Sequence, residues 1–164
     1  MGIFTEITLP GVGDMLYAVI GAMVVILDQV TKLLVQSKMH VGQSIKVLHP
    51  VLYFTYVKNP GAAFGIFPAG SFLFVIITFV VLAGVLWYLY RARPKDQRLL
   101  WGIVFCASGA LGNVIDRLRI GKVVDFIDVR IWPIFNVADM AIVLGVILVL
   151  LYTLKQPSSK ATVE

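Results

Sequence analysis

Residues 99–117 read LLWGIVFCASGALGNVIDR. From Leu99 to Ile115 no side chain carries a charge, and Gly102, Ala107, Ser108, Gly109, Ala110 and Gly112 make the run unusually rich in small residues. As a helix rising about 1.5 Å per residue it extends roughly 25 Å, close to the hydrocarbon thickness of a bilayer. Small residues let membrane helices approach closely, which predicts a central place in a bundle. The apolar run then stops at Asn113, Asp116 and Arg117, a polar knot at one end of the span.

Three similar stretches flank it. Met15–Val35 is charge-free to Leu27 and is then interrupted by Asp28 and Lys32; Ser71–Tyr90 is uncharged and closed by Arg91 and Arg93; Phe135–Leu154 carries one charge, Asp139. The whole chain has 164 residues, 59% of them hydrophobic and only 14% charged, with a mean hydropathy of +0.91. Soluble domains carry roughly 25% charged residues, and this surface would aggregate in water. The expected fold class is an α-helical polytopic membrane protein: one domain over 1–164, with spans near 15–36, 71–90, 99–117 and 135–154. There is room for little else.

The segments between spans are expected at 37–70 and 118–134. Within them VLYFTYV (51–57) and VVDFIDV (123–129) are rich in β-branched and aromatic residues. Strand edges do not persist in hydrocarbon, so these two predict a small β-sheet at the membrane surface, pairing with each other. Pro50, Pro60, Pro68 and Pro133 mark breaks. The tail 156–164 reads as disordered. Met1-Gly2 lacks the Ser or Thr at position 6 of a myristoylation start, and no basic n-region or small-residue cleavage site surrounds the first span, which is expected to stay as an uncleaved anchor. The lone Cys106 reads as a packing residue.

Four Lys/Arg in the eight residues 91–98 place that loop, and with it both termini, on the cytoplasmic side. The raw count does not settle orientation: six basic residues lie on that side and seven on the other. The net charge of +5 is divided among loops and suits topology and anionic lipid headgroups rather than nucleic acid.

Antiparallel spans bring the unusual polar residues to one level. Asp28 ends the first span, Asn59 precedes the second, Asn113, Asp116 and Arg117 end the third, and Asn136 and Asp139 begin the fourth, with Asp125 in the last loop. Asp139 is roughly 24 Å from Lys155, and Asn113 and Asp116 roughly 23–27 Å from Arg98, on the helical rise. Asp28 with Lys32, Asn113 with Asp116 and Arg117, and Asn136 with Asp139 share helix faces. Ionisable groups in spans face a bundle interior or a wet cavity.

The chemistry of this cluster is carboxylate chemistry. The two histidines, His40 and His49, form no HExxH or Cys/His pattern, so no metal site and no cofactor is expected. No GxSxG or serine–lysine arrangement supports a nucleophile. Two close carboxyl groups share a proton, and a low dielectric widens the separation. Such a pair activates water with one member and assists an amide with the other. A proton-coupled transporter also uses intramembrane carboxylates, but would place them near the midplane between repeated halves; no repeat is visible here.

The segments DQVTK (28–32), NPGAAFG (59–65), GALGNVIDR (109–117), VVDFIDV (123–129) and FNVAD (135–139) resemble, in order and spacing, the five signature segments of lipoprotein signal peptidase, or signal peptidase II. The likeness covers about residues 26–145. It implies a four-span aspartyl endopeptidase of the bacterial inner membrane, its active site near the extracytoplasmic face. Such an enzyme cleaves diacylglyceryl-modified prolipoproteins just before the lipidated cysteine, and is blocked by the cyclic peptide globomycin. By motif, Asp125 and Asp139 are the catalytic pair, and Asp28, Asn59, Asn113, Arg117 and Asn136 shape the site. Membrane lipids and the prolipoprotein are the implied partners of a monomer. Ser108, where many members have glycine, and Met140, where a small residue is common, depart from the pattern and put helix packing and pocket shape in question.

Other roles are expected for the remaining groups. Asp128 reads as structural, and Asp116 as the partner of a neighbouring arginine. Asp28 either pairs with Lys32 or fixes a backbone group near the pair, while Asn59 either serves the site or only makes a turn before Pro60. Arg117 is expected either to bind a lipid phosphate or, the favoured reading, to order the site through bidentate hydrogen bonds. Gly61, Gly65 and Gly70 suggest a lid over 59–69.

Overall fold

The structure, a computed structural model, describes residues 12–61 and 70–156. The order is α1 (Val12–Lys38), β1 (Ser44–Leu48), β2 (Leu52–Asn59), α2 (Gly70–Ala92), α3 (Gln97–Ile120), β3 (Val123–Asp128) and α4 (Val137–Lys155). All four helices are long and apolar enough to cross a membrane. Most of the proposed lid and of the tail (62–69 and 157–164) lies outside the described residues, as do residues 1–11.

Glycine content sets the bundle. A Cβ on Gly102 would come within 2.9 Å of the Gly145 carbonyl, one on Gly145 within 2.6 Å of the Gly102 carbonyl, and one on Gly109 would strike the Ala138 carbonyl. The backbones of α3 and α4 therefore touch, and α3 packs against all three other helices. Its expected central position is observed. Ser108 does not disturb this packing: it is buried and its hydroxyl donates to Val104 O at 2.8 Å within the helix. The outward faces are apolar, with Leu86, Trp87, Phe72 and Val80 each about two-thirds exposed, as befits lipid-facing surface.

At one end of the bundle lies a three-stranded antiparallel sheet in the order β1-β2-β3. The two predicted strands pair, with Val57 opposite Asp125 and Asn59 opposite Val123. β1 is an addition: SIKVL is a five-residue edge strand, exposed along its length. Under the sheet, Val35 and Met39 at the end of α1 pack with Tyr56, Val124 and Phe126. Gly121 ends α3 in the left-handed region (φ 71°), its N–H donating to Arg117 O at 3.0 Å. Glycine adopts that conformation without a Cβ penalty, and the tight turn puts β3 beside the polar end of α3.

Candidate active site

Asn136 is the N-cap of α4. Its Oδ1 accepts from Asp139 N at 2.9 Å, and Asp139 Oδ2 accepts from Asn136 N at 3.2 Å: a reciprocal capping box. A backbone N–H can only donate, so the cap fixes the Asn136 carboxamide and turns its NH2 inward, where Nδ2 donates to Asp125 Oδ1 at 2.7 Å. Asn59 repeats the device. Its Oδ1 accepts from Gly61 N, and its Nδ2 donates to Asp125 Oδ2, both at 2.8 Å. The turn and the site contact thus coexist in one side chain.

Asn113, a buried residue of α3, donates through Nδ2 to Asp139 Oδ1 at 2.8 Å. Every oxygen of the two carboxylates therefore has one N–H donor, and three of the four donors are asparagine amides. Asp125 is 2% exposed and its carboxyl is pushed up to about 6, chiefly by burial. The neighbouring charge of Asp139 adds to this; Asn59, Asn136 and Lys32 oppose it. Asp139, by contrast, is partly open to the surface.

Behind the pair, Asp28 is completely buried and fills both roles expected of it. Its Oδ2 lies 2.9 Å from Lys32 Nζ, and its Oδ1 accepts from Ala138 N at 2.9 Å. Gly112 makes room for it, since a Cβ there would sit 2.6 Å from Asp28 Oδ2. Asp116 does reach a neighbouring arginine, Arg119 at 3.7 Å, but its nearer cation is Lys32 at 3.1 Å. Asp128 is held structurally: the Thr55 hydroxyl at 2.7 Å lowers its carboxyl below the ordinary range, with the Arg130 backbone N–H at 2.9 Å assisting.

Arg117 departs from expectation. Among the described residues it makes no bidentate pair; Nη1 donates to Asn113 O at 3.4 Å, and Nε is buried without a partner. Its guanidinium instead lies over the Phe74 ring, 5.1 Å from the centroid, and against Gly61, whose added Cβ would be 3.2 Å from Nη2. It joins α2, α3 and the end of β2 by packing. Lys32 and Gln29 are the members of the network that sequence reading left without a site role. Gln29 Nε2 contacts Asp28 Oδ2, Gly112 O and Asp116 Oδ1 at 3.0–3.3 Å. The signal for Lys32 was its i,i+4 spacing from Asp28; for Gln29, adjacency alone.

From Asp139 an apolar groove of about 480 Å³ runs along α4 past Met140, Val143, Leu144 and Ile147, with Trp132 and Phe135 at its head. Met140, the expected departure in pocket shape, forms part of its wall. Among the described residues no group of three or more His, Cys, Asp and Glu is placed to hold one metal ion.

Fold and site together define a multi-pass membrane protein with two amide-bridged carboxylates at one end of its bundle. Residues 20–155 match the family model of Signal peptidase (SPase) II, and the chain belongs to that family. It is 49% identical over 144 residues to the lipoprotein signal peptidase of Pelotomaculum thermopropionicum, covering 88% of this chain and 94% of that one. It is 48% identical to that of Halothermothrix orenii, covering 87% and 97%. A solved bacterial membrane enzyme superposes with a TM-score of 0.82 at 37% identity, covering 89% of this chain and 96% of the other.

Proposed function

We propose that this chain is an aspartyl endopeptidase that removes signal peptides from diacylglyceryl-modified prolipoproteins, cleaving just before the lipidated cysteine. The observation that carries the reading is the Asp125–Asn136–Asp139 bridge within a signal peptidase II fold. It acts in the bacterial inner membrane with both termini cytoplasmic and the sheet end extracytoplasmic, the orientation the basic 91–98 loop favours.

The environments of the two carboxyls divide the work. In the reacting form Asp125, whose buried carboxyl is raised to about 6, carries the proton. Asp139 sits in the first turn of α4 with two N–H donors, where the helix N-terminus suits a negative charge. Water attacks the scissile carbonyl carbon and gives its proton to Asp139, while Asp125 gives its proton to the carbonyl oxygen. As the C–N bond breaks, the departing amine takes the proton from Asp139. Asp125 recovers one from a hydroxyl of the collapsing diol, which restores the starting state. The apolar groove beside Asp139 suits a lipid chain or the apolar part of the signal peptide.

The transporter alternative finds no support: the carboxylates gather at one end of the bundle, not between repeated halves. Purified protein in detergent, given a prolipoprotein with and without its diacylglyceryl group, is expected to shorten only the modified form, with mass spectrometry placing the new N-terminus at the lipidated cysteine. Intact modified substrate, or a cut elsewhere, would overturn the assignment.

A further inference from the structure

Behind the pair lies a second ionic cluster that takes no part in the proton transfers of the proposed reaction. Lys32 is completely buried, and a lysine in that position is costly unless its protons are all used. They are: Nζ lies 2.9 Å from Asp28 Oδ2, 3.1 Å from Asp116 Oδ2 and 3.0 Å from Asn113 Oδ1. Three donors meet three acceptors, and Arg119 near Asp116 completes the charge balance.

What each acceptor does next links this cluster to the site. Asp28 Oδ1 accepts from the backbone N–H of Ala138, the residue before Asp139. Asp116 Oδ2 accepts from that of Val124, the residue before Asp125, at 3.0 Å. Asn113 is more specific still. A carboxamide can present either end, but an ammonium has donors only. Lys32 therefore demands the Asn113 oxygen, and the Asn113 NH2 must then face Asp139 Oδ1. Asn136 Nδ2 reaches the same Asn113 oxygen at 3.2 Å, but its two protons are divided among that oxygen, Asp125 Oδ1 at 2.7 Å and Val124 O at 3.3 Å, which leaves Lys32 at 3.0 Å as the nearer donor. Asn59 and Asn136 are pinned by backbone N–H groups, of Gly61 and Asp139, whereas Asn113 is pinned by side chains alone.

We propose that Lys32 is a positioning residue for the reaction: by holding the Asn113 oxygen it aims the Asn113 amide at Asp139. This rests on the reading of Asp125 and Asp139 as the reactive pair. A cluster that merely bolts α1 to α3 would be distinguishable, because Lys32 would then contribute independently of Asn113.

The test is a double-mutant cycle on cleavage of diacylglyceryl-prolipoprotein in detergent, with kcat and KM separated and each variant's thermal unfolding measured. Lys32→Met and Asn113→Ala are each expected to lower kcat roughly 10–100-fold, the scale of a small misplacement of reacting groups, with KM little changed. Combined, they should cost no more than Asn113→Ala alone. Since Lys32→Met strands two buried carboxylates, the cycle is repeated with Asp116→Asn as background, which neutralises one and keeps an acceptor for Val124 N. Additive losses in either background, or undiminished kcat in a folded Lys32→Met protein, would overturn the positioning role while leaving the peptidase reading standing. An inactive wild type would overturn both.

Discussion

Asp125 should make this protein less stable at neutral pH than its packing alone would allow. Its carboxyl ionises at about 6 in the fold against an ordinary 3.8, burial being the main cause. The folded state thus binds the proton more tightly than the unfolded chain. The contribution is fully present below about pH 3.8 and is lost as pH rises through about 6. At about 1.36 kcal/mol per pH unit, the whole difference is about 3 kcal/mol. Asp125→Asn removes the titration while keeping the shape. The amide meets two N–H donors, from Asn59 and Asn136, and loses something there, but that loss does not change with pH. The stability of the variant relative to wild type should therefore improve by about 2–3 kcal/mol between about pH 4 and pH 8. For a chain of this size that is about 5–10 °C in Tm. Thermal unfolding in one detergent across that range reads the titration of Asp125 together with its coupling to Asp139, and carboxylates that do not interact with Asp125 cancel. Parallel curves for the two proteins would refute the argument and leave Asp125 with an ordinary carboxyl.

Further substitutions probe the surrounding scaffold. Asn136→Ala removes both the α4 cap and a donor to Asp125; it should cost about 1 kcal/mol of stability from the cap and lower kcat by more than that loss explains, measured as cleavage rate per folded molecule. Gly112→Ala places a methyl 2.6 Å from Asp28 Oδ2. Overpacking of this kind costs about 1–3 kcal/mol, so Tm and activity should fall together, and an unchanged Tm would mean that α1 and α3 stand further apart than described. Trp132→Ala opens the head of the groove beside Asp139 and should raise KM with little effect on kcat in the same assay.

Much of this was legible in the residues because the bilayer imposes simple rules. Long apolar runs marked the four helices, and the small residues of 99–115 marked the central one, since glycine is what lets α3 meet α4 at Gly102, Gly109 and Gly145. Alternation of the spans brought Asp28, Asn113, Asn136 and Asp139 to one level before any geometry was available. Long-range pairing was less accessible. Arg117 carries the residue type of a carboxylate clamp, but its guanidinium lies over Phe74, and the spacing of a single chain holds no trace of that contact. Lys32 read as a local ion pair because its third acceptor, Asn113, is 81 positions away. β1 escaped notice because it is short: Ser44, Ile45, Lys46 and Val47 alternate polar and apolar, but over only five residues.

The most direct test of the central claim is the gel-shift cleavage of diacylglyceryl-modified prolipoprotein by wild type, Asp125→Asn and Asp139→Asn, each variant shown to be folded by its thermal unfolding. The account predicts that wild type shortens the substrate and that neither variant does. Wild-type activity in either folded variant would remove that residue from the reaction and contradict the two-carboxylate mechanism.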